Sequence, residues 1–100
     1  MLETGKWQNG WYISLATAEE DFLFRFEQHF FPDNLLLRLQ ALNLFTGRKV
    51  MNRLTDVQEH EAKAICRKLN VEKSSSYPFS KELQLAYVSQ LLHLLLKARN

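Results

Sequence analysis

The residues able to do chemistry are three histidines, one cysteine and a scatter of carboxylates and basic groups. His60-Glu61 matches the opening of a zinc-protease helix motif, in which two histidines four residues apart hold the metal and the glutamate acts as base. Ala64 stands where the second histidine is required. His29, His60 and His93 fall on three different expected helices and offer no i, i+4 pair, so they read as exposed or partly buried polar positions. Cys66 lies between Ile65 and Arg67. The guanidinium favours a thiolate, but reactive thiols sit at helix N-termini or beside a histidine, and Cys66 falls mid-helix as an inert thiol. Glycines occur only at 5, 10 and 47, which leaves no P-loop, dinucleotide fingerprint or nucleophile elbow. With no constellation of acid, base and nucleophile, the chain reads as a non-enzyme without cofactor or metal.

Two further groupings have a bland reading and a sharper one. Arg48, Lys49 and Arg53 precede an expected helix that itself carries Lys63, Arg67 and Lys68, a set that could meet phosphates. Glu59, Glu61 and Glu72 share that helix and dilute its field, so a mixed, solvated face fits better. Phe22, Phe26 and Phe30 could line a ligand pocket, but helically spaced aromatics are the usual content of a core.

The elements that must position these groups follow from periodicity. Residues 6–15, KWQNGWYISL, read as extended. Asn9-Gly10 suits a two-residue hairpin turn because both positions tolerate positive φ. Thr17-Ala18-Glu19-Glu20 has the Thr-x-x-Glu form of a capping box, and Ala18, Phe22, Phe26 and Phe30 then recur every four residues. This predicts a first helix that ends at Phe31, before Pro32-Asp33. A short leucine-rich helix capped by Asn34 follows, broken at Thr46-Gly47, and Arg48 to Leu54 reads as a connector. Thr55-Asp56-Val57-Gln58 is a second capping box. It opens a helix to about Asn70 with Ala62, Ile65 and Leu69 on its apolar stripe. Pro78 precedes a last helix from about Ser80 to the end of the chain.

The last helix carries the strongest signal. LQLAYVSQLLHLLL, residues 83–96, has seven leucines in fourteen residues. Wound at the helical period, Leu85, Val88, Leu92 and Leu95 form one seam, and Leu83, Tyr87, Leu91, Leu94 and Ala98 a second. A helix on one small core needs an apolar stripe of roughly 100°, and two seams exceed it. One seam is therefore expected to face the chain's own helices, and the other either more of a larger protein or a second copy of the chain. Leu85, Val88, Leu92 and Leu95 are assigned to the dimer contact, because Leu85/Leu92 and Val88/Leu95 keep the seven-residue spacing of paired helices. On this assignment Leu92→Glu separates folded monomers, and Leu91→Glu lowers the melting temperature at any concentration.

The chain therefore reads as mainly α: a small bundle of about four helices with a short N-terminal strand or hairpin. Residues 1–16 are an extended segment ending a sheet, and 17–100 a helical dimerisation and linker region. One hundred residues suffice for one small domain, and 46% hydrophobic content argues against disorder. A net charge of +2 is too mild to imply nucleic-acid binding by itself. The lone cysteine fits a reducing, cytoplasmic compartment and excludes an internal disulfide. The apolar run at 83–96 is too short and too interrupted for a membrane span. Both ends read as cut from a longer polypeptide.

The order of segments WYISL, TAEEDFLFRF, LNLF, RLTDVQEHEAKAI, SSSYPF and KELQLAYVSQLLHLLLKARN resembles one region of AraC-type bacterial transcriptional regulators. That region lies between the sensory and DNA-binding domains, and the resemblance runs from about Trp11 to Arg99. It implies the closing part of a cupin-like sensor followed by dimerisation helices. It also implies a homodimer through the last helix, and contact with DNA only through a helix-turn-helix domain that these residues do not include. A small stand-alone helical module that binds another protein is the alternative.

Overall fold

The structure is a computed structural model and describes residues 1–99. It divides the chain into two compact units, Met1–Asn52 and Arg53–Asn100. The first unit contains strands β1 (Leu2–Trp7), β2 (Gly10–Ala16) and β3 (Asp21–Glu27), helix α1 (Asp33–Ala41) and a short strand β4 (Val50–Asn52). They form one antiparallel sheet in the order β3-β2-β1-β4.

Alternation builds this sheet. Opposite partners on antiparallel strands share a face. Leu2, Thr4, Trp11, Ile13, Leu15, Phe24 and Phe26 are all buried on one face, tied by the pairs Leu2↔Leu15, Thr4↔Ile13, Ile13↔Phe24 and Trp11↔Phe26. The first hairpin turns at Gln8-Asn9, one residue earlier than expected, and closes with the pair Trp7↔Gly10. Gln8 takes the positive φ, at 47°. Gly10 is held inside the strand instead, because a Cβ there would run into the carbonyl oxygen of Phe26 on β3.

The helix expected from Thr17 is a strand. Ala18, Phe22, Phe26 and Phe30 are spaced by four, and four residues satisfy a period of two as well as one of 3.6. Phe24 decides between them: Phe22, Phe24 and Phe26 in DFLFRFE alternate strictly, with Leu23 and Arg25 turned outward. The Thr-x-x-Glu motif does engage, but as a turn. Thr17 Oγ1 accepts from Glu20 N–H at 3.1 Å and donates to the Glu20 carbonyl at 2.6 Å, while Thr17 N–H donates to that same carbonyl at 3.2 Å. In a helix that carbonyl would point along the axis to a later amide; here it closes a four-residue loop between the paired Ala16 and Asp21.

Beyond β3 the rings gather. Phe26 and Phe30 lie 4.4 Å apart by centroids, Phe30 and Phe31 5.2 Å, Phe31 and Phe45 5.3 Å, and Phe45 and Trp11 5.3 Å. Since Trp11 and Phe26 are cross-strand partners, the series closes on itself. Phe45 holds a positive φ of 58°, unfavourable for a bulky residue, and its fully buried ring supplies the compensating packing. Helix α1 starts after Pro32 and ends in a Schellman motif. Asn43 stands in the left-handed region at φ 64°, and its N–H donates to the Gln40 carbonyl and that of Leu44 to Leu39. Within the expected connector, Val50–Asn52 pairs with Leu2–Thr4 as β4.

The second unit is the helix pair α2 (Asp56–Glu72) and α3 (Ser80–Ala98). Here the capping box is complete: Thr55 Oγ1 accepts from Gln58 N–H, and Gln58 Oε1 accepts from Thr55 N–H. Such a cap contributes about 1 kcal/mol. Ala62, Ile65, Cys66 and Leu69 form the buried stripe of α2. The turn into α3 is tied by Ser80, whose hydroxyl donates to the Glu72 carbonyl at 3.0 Å and accepts from Gln84 Nε2 at 3.2 Å.

The mainly-α, four-helix expectation is therefore corrected. The described residues hold three helices and a four-stranded antiparallel sheet. The sheet reaches Glu27 and returns at Val50, so residues 17–52 are not part of a helical bundle. No helix among the described residues is long and apolar enough to cross a membrane. The strand assignment makes a quantitative prediction. Phe24→Ala should lower stability in urea unfolding by about 3–5 kcal/mol. Leu23→Ala, at a position 54% exposed, should change it by about 0.5 kcal/mol or less.

Candidate binding face of the sheet

The face of the sheet opposite the core is ordered in rows across the strands. Met51, Glu3, Ser14 and Leu23 are successive partners in one row, Gly5, Tyr12 and Arg25 in the next, and Trp7, Gly10 and Glu27 in the last. The two glycines make the surface uneven. A Cβ on Gly5 would lie 2.5 Å from Tyr12 Cε1 and 2.7 Å from Cζ, so the Tyr12 ring lies over β1 only because residue 5 has no side chain. Lying there, its hydroxyl donates to the Glu3 carboxylate.

This placement alters the chemistry of the phenol. Burial first, then the hydrogen bond to Glu3 and the charge of that carboxylate, push the Tyr12 pKa from 10.0 up to about 12. One strand along, the Arg25 guanidinium lies 4.0 Å above the Trp7 ring centroid, an arrangement worth about 0.5–1 kcal/mol at an exposed site. Trp7, Gln8, Asn9, Gly10, Arg25, Phe26 and Glu27 border a shallow cleft of about 270 Å³. Aromatic surface, a guanidinium and the carboxylates of Glu3 and Glu27 equip this face for recognition by stacking and charge-assisted hydrogen bonds. On the opposite, core face, Thr4 Oγ1 and Trp11 Nε1 are buried without a hydrogen-bond partner.

The residues singled out from the sequence are dispersed. His29 is exposed after β3 with its ring 3.2 Å from Gln28 Nε2, and His60 and His93 are exposed on α2 and α3. His93 borders a groove of about 300 Å³ within the helix pair, with Glu61, Ile65, Gln90, Leu94 and Lys97. Among the described residues, no group of three or more His, Cys, Asp or Glu side chains could hold a metal ion. Cys66 is fully buried in the α2 stripe. Arg48 and Lys49 belong to the sheet unit, and Arg53, Lys63, Arg67 and Lys68 to the helix pair. Phe26 and Phe30 are core rings, and no helical stripe joins them to Phe22. Glu72 is half-buried, with Oε2 enclosed, and does not belong to a solvated face.

The residues of the expected dimer seam all lie on α3. Val88, Leu92 and Leu95 are 0, 3 and 0% exposed, and Leu91 and Leu94 of the other seam are 0 and 6% exposed. Leu85 is half-buried.

The Glu3–Tyr12–Arg25–Trp7 face was not identified from the sequence. A signal for it existed: once Gln8-Asn9 is the turn, alternation on β1 and β2 places Glu3, Gly5, Trp7, Gly10 and Tyr12 together. Comparison of the chain with family models, curated proteins and solved structures finds no match.

Two outcomes follow from this geometry. Spectrophotometric titration should find the Tyr12 phenol ionising near pH 12. Because the folded pKa is the higher one, its stabilising contribution is whole below the unfolded value of 10.0 and is lost as pH rises through the folded one. Glu3→Gln should lower that midpoint without returning it to 10.0, since burial remains. In the helix pair, Leu91→Glu and Leu92→Glu should both reduce the melting temperature at every protein concentration, each costing at least about 3 kcal/mol. Calorimetry over a concentration series checks this.

Proposed function

We propose that the chain is a non-catalytic joining region of a transcriptional regulator of the AraC type it resembles. In this reading the sheet unit is the closing part of a sensor. The helix pair is the linker toward a DNA-binding domain that lies outside these residues and makes all the contact with DNA. The protein acts as a homodimer in the cytoplasm, holds no cofactor and works through surfaces.

One observation supports this reading above others. The chain changes character at Asn52/Arg53, where an antiparallel sheet unit gives way to a helix pair opened by a complete capping box. A sheet followed by a separately compact helix pair suits a segment that joins a sensing layer to helical machinery. The side chains gathered on the sheet, Glu3, Tyr12, Trp7 and Arg25, have the chemistry of recognition and include no activated nucleophile beside a base.

The test is functional complementation. The 100-residue chain, fused to a DNA-binding domain that represses a reporter only as a dimer, should restore repression. A fusion that is folded and present at the level of a dimerising control, yet fails to repress, would overturn the reading.

A further inference from the structure

The two edges of the sheet are unlike. On one side β4 is three residues long, and shortness is a common way of blunting an edge. On the other side lies β3, seven residues with the sequence DFLFRFE. It has no proline, no lysine and little net charge, so it lacks the usual devices against pairing. Among the described residues no strand pairs with its outer side.

We infer that β3 is the homodimer contact: two copies pair antiparallel through β3 about a two-fold axis at Leu23, making one continuous sheet of eight strands. This rests on the proposed reading as a self-associating region and assigns the surface that carries it.

The register follows from the side chains. A two-fold antiparallel pair centred on Leu23 sets Asp21 opposite Arg25 of the second copy, Phe22 opposite Phe24, and Leu23 opposite itself. Both opposite charges are then matched, twice by symmetry, and each pair stays on its own face of the sheet. Asp21, Leu23 and Arg25 are exposed, with Leu23 54% exposed on the outer face, so all three are accessible to a second copy. Other registers conflict. Centring on Phe24 sets Asp21 against Glu27 twice, and centring on Arg25 sets two guanidinium groups against each other. Opposed like charges on neighbouring strands are destabilising. A slip of one residue would bring the phenylalanine face against the outer face.

The experiment is sedimentation velocity on the full chain at high micromolar concentration, with circular dichroism confirming that each variant is folded. The wild type should be a dimer. Asp21→Arg and Arg25→Asp should each raise the dimer dissociation constant about tenfold or more, because each creates two like-charge pairs. The double variant Asp21→Arg/Arg25→Asp, which exchanges the charges, should dimerise like the wild type. Leu23→Lys alters an exposed position on the axis and should give folded monomers. A monomeric wild type would overturn the inference and the self-association of the proposed reading together. A wild-type dimer unaffected by Asp21→Arg, Arg25→Asp and Leu23→Lys would overturn the inference alone. A folded double variant that remains monomeric would also overturn it.

Discussion

Ile13 sits at the centre of the sheet, fully buried between Thr4 on β1 and Phe24 on β3. The rest of the first unit depends on keeping this row inside. Side chains on a strand alternate, so a slip of one residue on either side of β2 would turn every buried residue of the slipped strand to solvent. Loss of the Phe22, Phe24 and Phe26 face alone would forfeit about 1.5–3 kcal/mol for each ring returned to water. Both hairpin registers are therefore fixed by the core, and the turns adapt to them. That is why Gln8 accepts a positive φ and Gly10 is drawn into the strand.

The same constraint determines the outer face. With Leu2, Thr4, Ile13 and Phe24 turned inward, Glu3, Gly5, Tyr12 and Arg25 have no alternative but to face outward. The missing side chain of Gly5 lets Tyr12 reach across β1 to Glu3. Trp7 at the hairpin end meets Arg25 from β3. The core face and the outer face are two sides of one alternation, so a substitution that shifts the register would damage both together. The helix pair has its own basis, the Thr55 cap and the stripe Ala62, Ile65, Cys66 and Leu69.

The sequence made some of this legible and concealed the rest for physical reasons. Two motifs of the same form, at Thr17 and Thr55, lead to different structures. Thr55 is followed by apolar residues at true helical spacing, so local signal and packing agree. Thr17 is followed by phenylalanines four apart, a spacing that helix and strand share, and Phe24 tips the segment to strand. Propensity then yields to tertiary context, as β-rich segments commonly do. Helix α2 is readable from its Thr55 cap, and α3 from its leucine spacing and the preceding Pro78. Strand β4 is not, because three residues show no period and Val50–Asn52 becomes a strand only by pairing with β1. The aromatic and charged face of the sheet went unread because β1 was followed only from Lys6. The leucine count of α3 implies a need for cover, but helical winding gives no information on what supplies it.

Residues 21–27 are a strand paired with β2 around Ile13. Nuclear Overhauser contacts across this pair test it most directly. Cross-strand backbone contacts are expected for Ile13 with Phe24 and for Trp11 with Phe26, the observed partners. An unbroken series of sequential amide–amide and i to i+3 contacts from Ala18 to Phe30, with no contact from Phe24 to Ile13, would show a helix there and contradict it.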